Sequence, residues 1–514
     1  MSVDPSQFNL VEYFPGFEPL RQIGGRVAVE FQGNQISYRE LRGKVDQWAR
    51  LIVKRGVNVG ERVALLLYDS PEFIASFLAT VSIGAVCVPI NTFLPAHDVE
   101  FILADSGARL LILESELEDK LNLSGESASG YAIVNVDTLT RACSGLGDDD
   151  ATEQRPAATT RKTPAFLLYT SGSTGAPKGV LHLHGSIPHT VESYSKSVLR
   201  LTNQDRVFSS SRLFFAYGLG NSLSFPLAAG ATVILDSGRA TPERIATLFE
   251  EQAPTVFFGV PAVYLALLEH RAKGGALDTS KLRLCVSAGE ALPTRIFEDW
   301  QREFGLTILD GIGSTEMLHI FISNQEGSAR AGSSGMIVPG YAARLADDQV
   351  SDAEELGDLW VRGSSATAGY WNRAELTRET IQDGWVRTGD IYRREEDGFF
   401  FHVGRSDDCF KVRGLWVSPI EVEGALLAHA SVVEAAVVSA VDKAGLATAK
   451  AYVVIRVEKQ ERLKDELMSF VASRLASYKA PTQIEFIDEM PRTATGKIQR
   501  FRLRGPASSS GEPG

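Results

Sequence analysis

Short β-branched runs alternate with helix-length amphipathic segments through the first four hundred or so residues of the chain, and that rhythm predicts an α/β protein. Its large N-terminal domain should hold parallel-rich sheets covered by helices, with a small antiparallel β region near its end. A change of pattern after Gly404 predicts a second, small α+β C-terminal domain. Length agrees, because 514 residues exceed what one compact core organises. The expected division is residues 1–406, residues 407–504, and a disordered tail at 505–514.

The elements read off in order. RVALLLY (62–68) is a buried strand. FIASFLATVSIGAVCVPI (73–90) approaches the length of a membrane span, but Ser76, Thr80, Ser82 and Gly84 interrupt it. A buried helix, a glycine turn and a buried strand explain it better. HDVEFILADSG then reads as a helix and RLLILES (109–115) as a strand. The same alternation returns at TVFFGV (255–260), VYLALLEHRAKG and LRLCVSAG (282–289). From Leu359 onward DLWVRG, GWVRTGD and DGFFFHVGR are short strands between glycine turns, the mark of antiparallel pairing. RSDDCFKVRG opens the C-terminal set, which includes the helix-like ERLKDELMSFVASRLAS. Ala142 to Thr163 reads as a mobile connector, and GPASSSGEPG as the tail.

Composition narrows the class. A formal net charge of −12 argues against a general nucleic-acid binder. The four cysteines, Cys87, Cys143, Cys285 and Cys409, form no CxxC pair, which suits reduced thiols in the cytoplasm and gives no metal cluster. The N-terminus MSVDPSQFNLVEYF lacks a basic region followed by an apolar run, so a cytoplasmic protein with no membrane attachment is expected.

The chemistry is densest at AFLLYTSGSTGAPKGV (165–180), where an apolar strand runs into a loop of Gly, Ser and Thr closed by Lys178. Small residues let backbone N–H groups approach phosphate oxygens. Thr170, Ser171, Gly172, Ser173 and Thr174 form the loop, and Lys178 adds a point charge. GxxxxGK[ST] does not align, because Pro177 falls five residues after Gly172. Composition alone leaves a plain surface loop as an equal reading.

YTSGSTGAPKGV resembles the core motif of the ANL superfamily, which comprises acyl- and aryl-CoA synthetases, peptide-synthetase adenylation domains and luciferases. Further motifs follow in the family's order: ISYREL (36–41), FFAYGLGN (214–221), VSAGEALP (286–293), DGIGSTE (310–316), GWVRTGD (384–390), GRSDDCFKVRG (404–414) and PRTATGKIQR (491–500). The resemblance covers essentially the whole chain. It implies ATP, Mg²⁺ and CoA as participants, with AMP transferred to a carboxylate and then displaced by a thiol.

Site residues follow from the same resemblance. Lys497 would carry adenylation, bridging the carboxylate and the α-phosphate, and Lys411 would serve the thioester step. Thr315 and Glu316 would hold Mg²⁺ and phosphate oxygens, Glu316 being the metal ligand. Asp390, assisted by Arg405, would accept from the ribose hydroxyls. Ala288, Gly289, Glu290 and Asp310, with Gly311 and Ile312, would line the adenine; Ile312 stands where relatives often carry an aromatic residue. Asp407 falls at the hinge position about which the C-terminal domain would rotate, and Trp416 falls where some relatives carry a phosphate-binding Arg.

FFAYGLGN lacks the acidic residue that pairs an amino acid's ammonium group, so the substrate is expected to be another acid. Together with DGIGSTEMLHIF it most resembles benzoate-CoA ligases and their aminobenzoate relatives. The ring would lie among Ala216, Tyr217, Gly313, His319 and Ile320, with His319 a neutral wall or hydrogen-bonding group. Phe214 reads equally well as core. His182 and His184 suggest support for the loop rather than a metal site. Benzoate and 2-aminobenzoate stay open, as do free CoA and a carrier-protein phosphopantetheine as acceptor. A non-catalytic nucleotide-binding protein is the contrasting class, and the oligomeric state stays open, a homodimer included.

Overall fold

The computed structural model describes residues 6–14, 23–121, 130–144, 155–172, 175–346, 355–406, 408–412, 415–441, 446–456, 461–492 and 498–504. The chain divides into two compact units, Met1–Ala343 with Val361–Val386, and Arg344–Trp360 with Arg387–Gly514.

Two sheets organise the first unit. The seven-stranded one runs Gly369–Tyr370, Gly175–Leu183, Pro164–Gly172, Val86–Pro89, Arg62–Leu66, Ala108–Leu113, Ala132–Asn135. Its strands from Pro164–Gly172 to Ala132–Asn135 are parallel, while Pro164–Gly172 and Gly175–Leu183 form an antiparallel hairpin. The nine-stranded sheet is parallel from Val27–Phe31 through Thr232–Leu235, Arg206–Ser209, Val256–Gly259 and Leu284–Ser287 to Ile308–Gly313. Ile320–Ser323 then pairs antiparallel with Ile308–Gly313, so DGIGSTEMLHIF folds back on itself and brings the residues after GSTE beside the strand that carries Asp310.

The near-membrane-length run resolves as expected. Ser70 caps Pro71–Ser82 by accepting from the Phe73 N–H, and Pro71 fits the first turn, where its missing donor costs nothing. Every residue of that helix from Phe73 on is buried, which explains its lack of a polar face. Gly84 then turns the chain at φ +74 into Val86–Pro89. Among the described residues no helix is long and apolar enough to cross a membrane. ISYREL is a helix start. Ser37 and Glu40 form a reciprocal capping box, and the buried Tyr38 hydroxyl donates to the Ala231 carbonyl at 2.7 Å.

The expected connector is only partly accounted for. Its first residues belong to the helix Val136–Ser144, and residues 145–154 lie outside the described residues. From 155 onward, however, it is bound rather than loose. The Ala157 N–H donates to the Ser82 carbonyl, Asn9 Nδ2 to the Ala157 carbonyl, and the Thr159 hydroxyl to the Phe8 carbonyl. Composition suggested mobility there because it cannot show that these backbone groups find partners. The tail at 505–514 lies outside the described residues.

The second unit has its own core. Val432–Val441 pairs antiparallel with Ala447–Ile455, which pairs parallel with Gln483–Phe486. Pro419–Leu427 and Glu461–Ala472 contribute Val422, Leu426, Leu467 and Val471 to the buried cluster on this sheet. Trp385–Arg394 pairs antiparallel with Phe400–Arg405, setting Asp390 opposite Arg405.

Candidate active site

The phosphate segment is a hairpin more than a loop. Strand pairing continues to Gly172 and resumes at Gly175, with Thr170 opposite Lys178. Ser173 and Thr174 lie outside the described residues. The Thr170 hydroxyl is buried and has no hydrogen-bond partner among the described residues, which leave it open. Tyr169 anchors the strand before the turn, its hydroxyl donating to Asp105 Oδ2 at 2.7 Å.

Lys178 meets the GSTE turn through a residue that motif reading passed over. The Tyr370 hydroxyl donates to Glu316 Oε1 at 2.7 Å and accepts from Lys178 Nζ at 3.2 Å. Lys178 Nζ stands 3.7 Å from Glu316 Oε1 and 4.4 Å from the centre of the Tyr370 ring. Tyr370 lies in TAGYW, outside every motif above, and its spacing gave no signal. The turn is braced from two sides. The Thr367 N–H donates to the Glu316 carbonyl at 2.7 Å, and His182 Nε2 is 2.8 Å from the Thr315 carbonyl. Burial lowers the His182 pKa to about 4, so it is neutral and Nε2–H is the donor. His182 stacks on Phe166, and His184 Nδ1 accepts the Leu10 N–H at 3.0 Å. His182 sits on the strand Gly175–Leu183 and His184 in the turn just after it, and among the described residues no group of three or more His, Cys, Asp or Glu could hold a metal.

Glu316 suits Mg²⁺ in another way. A lone carboxylate oriented by a hydroxyl beside a lysine is the donor set of an ion that takes its remaining ligands from phosphates and water.

Asp310 lies beside Ser287 in neighbouring parallel strands. Burial pushes its carboxyl well above the usual range, and Oδ1 has no hydrogen-bond partner among the described residues. A buried orphan acceptor of this kind fits an exocyclic amine. Ala288 is buried, while Gly289 and Glu290 are exposed; Gly289 sits at φ +96, a backbone turn that only glycine adopts without strain. A side chain at Gly311 would meet the Ile322 carbonyl at 2.8 Å, and Ile312 follows on the same strand.

The acyl residues converge. Tyr217, on the helical turn Ala216–Leu219, has its ring centre 5.4 Å from His319, which is also enclosed by Tyr194 and Phe225. His319 Nε2 is 3.1 Å from Asn221 Oδ1, so Nε2 carries the proton. Nδ1 is bare and buried, with no partner among the described residues. Burial takes the ring's pKa to about 3, against a smaller opposing effect of the Tyr217 backbone. A Cβ at Gly313 would stand 2.7 Å from the His319 carbonyl oxygen, so only glycine lets that strand pass. Ala216 and Ile320 are buried beside this group. Phe214 is also buried, edge-on to Phe215 at 4.6 Å, and is core rather than wall.

In the second unit Arg405 Nη1 donates to Asp390 Oδ1 at 3.2 Å and to the Thr388 carbonyl at 3.0 Å. Burial works to raise the Asp390 carboxyl, yet His402 and Arg405 together hold it below its ordinary value. Lys411 lies on the strand Phe410–Val412 opposite Trp416. Asp407 and Lys497 lie outside the described residues. Around the latter, the Gln499 N–H donates to the Pro491 carbonyl, and Arg500 pairs with the buried Glu423.

Comparison with known proteins agrees with this geometry. A family model described as AMP-binding enzyme matches residues 18–371, and its C-terminal-domain counterpart matches 421–497. A benzoate–CoA ligase of Thauera aromatica is 41% identical over 518 residues, covering 97% of this chain and 96% of that protein. The crystal structure of an anthranilate CoA ligase, AuaEII, in complex with anthranoyl-AMP superposes with a TM-score of 0.90 at 36% identity, over 97% of each chain. A benzoate CoA ligase from Burkholderia xenovorans gives 0.86 at 39% identity, over 97% of this chain and all of that one.

Proposed function

Since the chain belongs to the AMP-binding enzyme family, we propose that it is an aryl-CoA ligase, an AMP-forming acid–thiol ligase for benzoate-type acids. ATP and CoA are its co-substrates. The observation that carries the reading is the enclosed group of Tyr217, His319 and Ile320 beside the strand of Asp310, together with a segment FFAYGLGN that has no acidic residue to suit an amino acid.

In the first step a carboxylate oxygen of the acid attacks the α-phosphorus of ATP. The bond to the bridging oxygen breaks and pyrophosphate leaves, giving the aryl-adenylate. In the second, the sulfur of CoA attacks the acyl carbon, its proton is lost to solvent, and AMP departs with the carboxylate oxygen. We assign Lys497 to the first step, where its ammonium offsets the charge gathering between carboxylate and phosphate, and Lys411 to the second. Thr170, Ser171, Gly172, Ser173, Thr174 and Lys178 hold the departing phosphates. Asp310 takes the adenine amine at its orphaned oxygen, and Asp390 with Arg405 takes the ribose. Thr315 and Glu316 would hold Mg²⁺, which when bound would neutralise phosphate charge. We place the hinge between the two steps at Asp407, and the protein's work in the cytoplasm.

His319 narrows the acid. Its bare Nδ1 offers an acceptor to a ring amino or hydroxyl group, while an unsubstituted ring leaves that atom unmet. The test is thioester formation with benzoate, the three aminobenzoates, hydroxybenzoates, cinnamate and short fatty acids. Free CoA and a holo-carrier protein are offered in parallel. Benzoate or 2-aminobenzoate should be ligated to CoA. Acylation of the carrier alone, or preference for a fatty acid, overturns the assignment.

A further inference from the structure

We propose that Tyr370 is a positioning residue for nucleotide activation, its hydroxyl joining the carboxylate that meets the metal to the lysine that meets the phosphates. The inference rests on the roles given above to Glu316 and Lys178. A phenol has one proton to donate and two lone pairs to accept with, and this one donates to Glu316 Oε1 at 2.7 Å while accepting from Lys178 Nζ at 3.2 Å. An O–H donated to an ionised carboxylate is among the stronger protein hydrogen bonds, and it fixes the rotation of the Glu316 side chain. The ring does a second job, with the ammonium of Lys178 held 4.4 Å from its centre.

The tyrosine is itself rigidly placed. Gly369 and Tyr370 pair with Leu181 and Val180 on the strand that carries Lys178. The Tyr370 N–H donates to the Thr377 hydroxyl at 2.9 Å, and the Trp371 N–H to the Gly179 carbonyl at 2.8 Å. Gly369 sits at φ +135, where a Cβ would meet Thr377 Cγ2 at 2.9 Å, so the approach to Tyr370 is built for glycine. Two residues earlier the Thr367 N–H holds the Glu316 carbonyl. The segment Thr367–Trp371 therefore straps the phosphate hairpin to the GSTE turn, with the Tyr370 hydroxyl at the meeting point.

Tyr370→Phe removes one oxygen and keeps the ring. Isothermal calorimetry with α,β-methylene-ATP in excess Mg²⁺, without acid or CoA, reads the binding of the metal–nucleotide pair. The dissociation constant should rise about tenfold, the effect expected from losing a charge-assisted hydrogen bond at a binding group. In pyrophosphate exchange, the Mg²⁺ concentration at half-maximal rate should rise alongside it, with KM for the acid and for CoA within about twofold of the parent. In a Glu316→Gln background the same change should alter the dissociation constant less than about twofold, since the carboxylate it orients is gone. Parent-like binding by Tyr370→Phe sinks the proposal while Glu316→Gln still weakens binding. Parent-like binding by Glu316→Gln instead removes the reading beneath it. A fall in thermal midpoint with equal loss of affinity for acid, CoA and nucleotide also overturns it, because that is a merely structural role.

Discussion

Gly220→Ala is a sharp probe of the proposed acyl pocket because the backbone there tolerates it. Gly220 is helical, at φ −60 and ψ −54, so alanine brings no strain and a helix-propensity gain of roughly 1 kcal/mol. Its Cβ, however, would stand 2.2 Å from His319 Cδ2 and 2.6 Å from Nε2. To restore even a tight 3.0 Å contact the imidazole must move by about 0.8 Å. Tyr217, Tyr194 and Phe225 enclose the ring, so it cannot move without disturbing a wall of the pocket. The movement also stretches the 3.1 Å bond from Nε2 to Asn221 that fixes the tautomer. Overpacking costs about 1–3 kcal/mol, partly offset by the helix gain, so the thermal midpoint should fall only slightly. The misplaced pocket should cost the acid about 1–2 kcal/mol of binding, a rise in KM of roughly five- to thirtyfold. Steady-state ligation with benzoate and with 2-aminobenzoate reads it, KM for MgATP serving as the internal control. A stable variant with parental KM for both acids refutes the placement of the ring against His319.

Lys497→Ala should abolish pyrophosphate exchange yet leave thioester formation from supplied aryl-adenylate largely intact, and Lys411→Ala should show the reverse. Equal loss of both steps in each variant refutes the division of labour. Asp310→Leu should weaken ATP about tenfold or more, since it removes the acceptor we assign to the adenine amine, and should leave KM for the acid within about twofold; calorimetry with α,β-methylene-ATP checks it. His184 has its pKa lowered to about 4 by burial, so the unfolded chain takes up a proton that the folded one refuses as pH falls below about 6.5. Its stabilising neutrality is therefore fully present above that value and lost toward pH 4, by up to about 2 kcal/mol at pH 5. His184→Asn, whose Oδ1 can take the Leu10 N–H in place of Nδ1, should flatten the fall in urea-unfolding free energy between pH 7 and 5. An unchanged slope contradicts neutral burial. Asp69, raised to about 6 by burial, acts in the opposite sense in both proteins and drops out of the difference.

The layered α/β organisation was legible because its signals are local. Buried strands are β-branched, the helix Pro71–Ser82 begins at a serine–proline cap, and Gly84 marks a turn where φ is positive. The residues expected around the acyl group lie on two short segments, FFAYGLGN and DGIGSTEMLHIF, and the fold brings Tyr217 of the first against His319 of the second. What sequence could not give were partners distant along the chain. Tyr370 meets Glu316 across 54 residues and Lys178 across 192, and no local pattern encodes either contact. The bound state of residues 155–163 escaped for the same reason, since composition is blind to a backbone partner at Phe8 or Ser82. His182 and His184 read as loop support; His182 is a strand residue whose Nε2 meets the Thr315 carbonyl, and His184 lies in the turn just after that strand, contacts that no local pattern encodes.

The central claim is that this chain activates a benzoate-type acid as its adenylate. Exchange of labelled pyrophosphate into ATP, run without CoA, with and without benzoate or 2-aminobenzoate, addresses it most directly. The account predicts exchange that requires both Mg²⁺ and the aromatic acid, and that disappears in Lys497→Ala. Exchange supported by no aromatic acid, or proceeding equally in its absence, contradicts it.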